Sequence, residues 1–166
     1  MRSFAFAYSH TVTARILTGF LAAILAAAAL SVSAPSHGAV AGRADRVATA
    51  FSVAKHQTGT RYVYGASDPR RGFDCSGLTQ FAYERAHLRL PRTSRGQARA
   101  ATRIPRSQLQ RGDLMFFASH GRVYHVGMYA GRAAGRVQIL HAPRPGERVK
   151  VDPVWTPHWF AGTVRR

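Results

Sequence analysis

Three kinds of hydrophobic spacing divide the chain. The first is an uncharged run from Ile16 to Ala34, ILTGFLAAILAAAALSVSA, preceded by Arg2 and Arg15. Small residues at Val32 and Ala34, and again at Ala39 and Ala41, fit the small-x-small exit of an export signal. Pro35 disfavours the earlier cut. The pattern therefore predicts a signal peptide over 1–41 and a mature domain over 42–166. An uncleaved membrane anchor is the alternative, because the run is nearly long enough to span a bilayer.

The second spacing is helical. Val47, Ala50, Phe51 and Ala54 mark one face between Ala44 and Gln57, with Gly59 beyond the end. TRYVYGA and SDPRRG follow as an aromatic stretch and a loop. Leu78, Phe81, Ala82 and Ala86 mark a second helix in DCSGLTQFAYERAHLRL. Asp74 precedes it as an N-cap, so Cys75 falls at the helix start. Gly77, in the first turn, implies close packing there.

The third spacing is strand-like. DLMFFA, YHVGMYAG, RVQILHAP, ERVKVDP and FAGTVRR are short β-branched and aromatic runs separated by Gly and Pro. Helices first and strands second predict an α+β fold, with an antiparallel sheet packed on the N-terminal helices. There is no repeat and no low-complexity linker.

Charge adds a partner class. The 24 basic residues against 7 acidic ones leave +17, and the mature part keeps +15 after losing only Arg2 and Arg15. Almost all the cations are arginine. Such a surface attracts anionic envelope polymers, or is simply solvated. No basic helix or aromatic RNA-binding signature stands out, so no specific nucleic acid is expected.

Cys75 is the single cysteine, so the chain can form no internal disulfide. A lone thiol outside the cytoplasm is either buried and inert or kept for reactivity. A helix N-terminus stabilises a thiolate through partial positive charge and free N–H groups, which can also hold an oxyanion. A base is then needed. Among His56, His87, His120, His125, His141 and His158, geometry favours two. A hairpin turning through GRAAG and centred on Ala133 pairs His125 directly with His141 on one face. His141 would fix the tautomer of His125, and Gly127 would leave open space on that face. A one-residue slip would weaken this pairing. The histidines lack short zinc-like spacing, and no metal or cofactor is expected.

GTRYVYGA, GFDCSGLTQFAY, LPRTSRGQA, GDLMFF, HVGMYAG and LHAPRPG resemble, in order, the landmarks of the NlpC/P60 family of cell-wall cysteine peptidases. The resemblance implies a papain-like α+β fold. It implies Cys75 as nucleophile, His125 as base and His141 as third polar residue. Tyr62 is implied to reach the cleft and aid the oxyanion or position substrate. Asp74 and Ser76 are implied contacts for a substrate amine. The implied substrate is the stem peptide of peptidoglycan, cut between D-γ-glutamyl and diaminopimelate through a thioester. The protein would then be an exported monomer in the periplasm or medium. One departure is Gly65-Ala66 where the family has Gly-Gly; a positive φ at Ala66 would cost about 1 kcal/mol. A related amidase, a secreted antibacterial toxin and a non-catalytic wall-binding regulator are the competing readings.

Overall fold

The computed structural model describes residues 42–164. The signal peptide expected over 1–41 lies outside the described residues. In chain order the elements are α1 (Arg43–His56), β1 (Ser67–Asp68), β2 (Gly72–Phe73), α2 (Cys75–Arg85), α3 (Ser94–Ala100), β3 (Thr102–Ile104), a 3-10 turn (Arg106–Gln108), β4 (Leu114–Ser119), β5 (Arg122–Ala133), β6 (Arg136–His141), β7 (Lys150–Pro153) and β8 (Trp159–Thr163). β3 to β8 form one antiparallel sheet in the order β3-β8-β4-β5-β6-β7, and β1 pairs with β2. The α+β expectation holds: three helices pack against a sheet.

The apolar stripes explain the layers. Val47, Ala50, Phe51 and Ala54 of α1 and Leu78, Ala82 and Tyr83 of α2 pack with Leu114, Phe116, Val126, Met128 and Leu140 of the sheet. β4 is buried on both faces, because Met115 and Phe117 join Ile139, Trp159 and Ala161 in a second cluster. That accounts for the unbroken apolar run LMFF, where a half-exposed strand would alternate. The buried Tyr83 hydroxyl donates to Gly112 O at 2.8 Å, so its polar end is satisfied.

α3 and β3 have no counterpart in the spacing pattern. Only Gly96 and Gln97 of α3 are buried, so it presents no apolar stripe. Its start is set instead by the Thr93 hydroxyl accepting from Gly96 N. Gln97 then ties α3 to the head of α2: its amide donates to Ser76 O and Pro91 O at 2.9 Å each, and Thr79 Oγ1 donates to its carbonyl at 2.7 Å.

The β5–β6 hairpin departs from the expected register. It turns at Ala134 and Gly135, both at positive φ, so Ala133 pairs with Arg136. A bulge then passes over Ala130, between the Tyr129–Ile139 and Gly131–Gln138 pairs. Beyond the bulge Met128 pairs with Leu140. Continued by one step, this places His141 opposite Gly127 rather than opposite His125.

Candidate active site

Asp74 caps α2 and organises the loop before it. Its Oδ1 accepts from Gly77 N (2.7 Å) and Arg92 (3.0 Å), and its Oδ2 from Gly65 N (2.8 Å) and Arg92 (2.6 Å). Ser76 Oγ lies 3.3 Å from Oδ1. Burial alone would raise this carboxyl, but Arg92 and the two backbone N–H groups outweigh it and hold it below its ordinary value. Asp74 and Ser76 are both 6% exposed. Both carboxylate oxygens of Asp74 are thus engaged by the protein, while Asp74 and Ser76 also line a cavity with Cys75. Gly65 takes the positive φ of this loop, so Ala66 carries no such strain. Gly77 is demanded by packing, since a Cβ there would stand 2.1 Å from Ala66 O.

Cys75, the first residue of α2, is partly exposed and opens into two cavities. One, of about 510 Å³, is also lined by His125, His141, Lys150, Asp152 and Trp155. The other, of about 860 Å³, is lined by Arg92, Ser94, Arg95 and Arg99 among others. Tyr62 and Tyr124 border both, so Cys75 sits where the two meet. Its thiol is pushed up, first by burial and then by the Asp74 charge, while the N–H groups of Val126 and Ser76 oppose. A depressed thiol pKa, expected from the helix start, is therefore not the resting condition. Desolvation exceeds what the helix end supplies. Tyr62 is likewise raised, by burial and then by Cys75 and Asp74, and keeps its hydroxyl proton to donate.

His125 and His141 meet despite the different register. His125 Nε2 lies 2.8 Å from His141 Nδ1, with the rings at 80°. They are diagonal neighbours, which imidazoles can bridge where short side chains could not. Gly127 makes this possible: a Cβ there would stand 2.5 Å from Ile139 Cδ1 and 2.9 Å from His141 Cβ. The space expected over Gly127 is thus filled by those two residues. His125 is brought down to about 3, first by burial and then by His141, so it rests neutral.

On β4, Phe117 pairs with His125 but Ala118 pairs with Val123, leaving Tyr124 as an extra residue in β5. Bulges beside active sites re-aim side chains, and Tyr124 is half exposed on the cavity rim.

Three neighbours escaped the sequence reading. Asp152 Oδ2 is 3.1 Å from His141 Nε2. Trp155 stacks on Phe117 at 4.4 Å and lies at 24° over His141. Arg92 holds Asp74. In the sequence each is an ordinary polar or aromatic residue far from its partner; the strand alternation in ERVKVDP was the only signal bearing on Asp152. Among the described residues no group of three or more His, Cys, Asp or Glu is placed to hold a metal ion.

A thiol at a helix head that shares a cavity with a buried neutral imidazole, itself held by a ring partner, can carry out nucleophilic acyl transfer. The model of the NlpC/P60 family matches residues 59–166. The chain belongs to the NlpC/P60 family. The murein DD-endopeptidase MepH of Escherichia coli (strain K12) is 36% identical over 137 residues, 80% of this chain and 48% of that protein. The γ-D-glutamyl-L-lysine dipeptidyl-peptidase of Bacillus cereus is 38% identical over 57% of this chain and 29% of its own length. The chain thus spans about half or less of these curated relatives. Among solved structures, the NlpC/P60 domain of the peptidoglycan hydrolase SagA matches with a TM-score of 0.62 at 38% identity, over 71% of this chain and 98% of that one. The hydrolase RipB of Mycobacterium tuberculosis matches at 0.64 and 28% identity, over 74% and 66%. This NlpC/P60 domain therefore has the fold of peptidoglycan hydrolases.

Proposed function

We propose that this NlpC/P60 protein is a cysteine endopeptidase that hydrolyses the stem peptides of peptidoglycan after export to the cell envelope. The observation that carries the reading is the shared cavity of Cys75 and His125, with His125 neutral and hydrogen-bonded to His141. Because thiol and imidazole both rest uncharged, proton transfer accompanies attack. Cys75 Sγ bonds to the scissile carbonyl carbon as its proton passes to His125. The carbonyl oxygen becomes an oxyanion facing the Tyr62 hydroxyl and the helix N-terminus. Collapse expels the amine, which takes the proton from His125 and leaves a thioester. Water, giving its proton to His125, adds to the thioester carbon; the C–S bond then breaks, the acid leaves, and the Cys75 thiolate takes the proton back from His125.

The bond we favour is D-γ-glutamyl–diaminopimelate. A D,D cross-link is the second reading, favoured by the name of the Escherichia coli relative that aligns over most of this chain. The arginine-rich surface would hold the enzyme on anionic wall polymers. Digestion of purified wall and mass analysis of the products tests the reading. New N-termini at diaminopimelate support the first bond and monomeric stems from dimers the second. A Cys75→Ala protein that still releases either product would refute the nucleophile.

A further inference from the structure

We infer that Asp152 is a positioning residue that sets the ring protons of both histidines, leaving the bare nitrogen of His125 for the Cys75 proton. The inference rests on the proposed roles of Cys75 and His125.

The residues form a line across three strands. His141 pairs with Lys150 and Ile139 with Asp152, so all four side chains share one face of β6 and β7. His141 is 2% exposed at its side chain and Asp152 30%. Asp152 Oδ2 receives His141 Nε2 at 3.1 Å and Lys150 Nζ at 3.1 Å. Lys150 also binds Glu147 at 2.7 Å, and Glu147 in turn holds Arg144. Two carboxylates and two cations thus offset one another beside the histidines.

The consequence follows from counting donors. An ionised carboxylate has only lone pairs, so the proton between it and His141 belongs to Nε2. Burial holds His141 below its ordinary pKa with Lys150 adding to that, while Asp152 and Glu147 oppose. A neutral His141 protonated at Nε2 has a bare Nδ1. The 2.8 Å contact to His125 Nε2 then needs its proton on His125. His125, itself neutral, is left with a lone pair on Nδ1, the form that can accept from a thiol. The reverse arrangement, with His141 protonated at Nδ1, would place the His125 proton on Nδ1 and block the base. Trp155 stacks over the ring of His141, whose side chain is 2% exposed.

The test uses the full chain labelled with ¹⁵N-histidine, together with Asp152→Asn and Asp152→Glu. Ring ¹⁵N shifts in the wild type should show His141 and His125 both protonated at Nε2. Asp152→Asn, whose amide can donate as well as accept, should populate the Nδ1-protonated form of His125 and lower kcat on purified wall on the order of 10²-fold, with KM little changed. Its kcat–pH profile should change shape, and Asp152→Glu should recover much of the rate. A wild-type His141 protonated at Nδ1 overturns the inference even if the variants fail to fold. So does a folded Asp152→Asn protein with unchanged tautomers, whatever its rate. If Cys75→Ala stays active, the underlying reading fails; if only the Asp152 results are negative, that reading stands and this inference alone is lost.

Discussion

His125 Nε2 and His141 Nδ1 lie 2.8 Å apart although the two residues are not opposite each other in the hairpin. The bulge at Ala130 is what joins them. Near the turn Ala133 pairs with Arg136, and carried along unbroken that register sets His141 opposite Met128. His141 would then share a face with Met128, and His125 would lie on the other. One extra residue shifts the register and returns both imidazoles to one side.

Deleting Ala130 should straighten β5 and keep the pair, because the Tyr129–Ile139 and Gly131–Gln138 pairs become consecutive and Gly127 stays opposite His141. We expect the signal of the buried His–His hydrogen bond to persist in the proton spectrum and wall hydrolysis to stay within about tenfold of wild type. Loss of that signal with a fall on the order of 10²- to 10⁴-fold, the span lost with a general base, would show that the bulge itself aims the two rings.

Gly127→Ala tests the same contact by crowding. Ile139 Cδ1 can swing aside, but His141 Cβ at 2.9 Å belongs to the backbone-fixed part of its residue. We expect destabilisation of about 1–3 kcal/mol, as for overpacked cores, and a lower kcat. Urea titration and wall digestion measure the two effects. A Gly127→Ala enzyme equal to wild type in both would contradict the packing.

Acid should weaken the fold through His125. Its folded pKa of about 3 lies below the ordinary 6.5, so folding favours the neutral ring. That stability is complete above about pH 6.5 and is lost as pH falls toward 3, by about 1.4 kcal/mol per pH unit at most. Asp74, also depressed, adds loss below its ordinary value. Stability curves for wild type and His125→Phe should differ in slope over that window. Parallel curves would assign the acid sensitivity elsewhere.

Alkylation of Cys75 should rise only at alkaline pH in the free enzyme, with a midpoint above that of an unperturbed thiol, because burial raises it. A midpoint in the acid range, abolished by His125→Ala, would instead establish a resting thiolate–imidazolium pair.

Arg92→Gln should release the Asp74 carboxylate from its two-point clamp. Arg92 is about a third exposed, so we expect a modest loss of about 1–2 kcal/mol. The capping bond to Gly77 should survive, leaving α2 intact by circular dichroism. Unfolding of α2 would show that the clamp, rather than the cap, holds the helix head.

The sequence by itself determined the helix that begins at Cys75, the α+β order and the candidacy of His125 and His141. Local rules suffice there: a capping Asp74, an apolar stripe and alternating strands depend on neighbours a few residues away. The tertiary structure alone decided the register, the partner of Asp74 and the place of Asp152. A bulge leaves no periodic trace, and Arg92 and Asp152 reach their partners across 18 and 11 residues of chain. The thiol pKa was decided the same way. A helix start is legible in the chain and argues for a thiolate, but the desolvation that outweighs it comes from the burial of Cys75 in the folded domain.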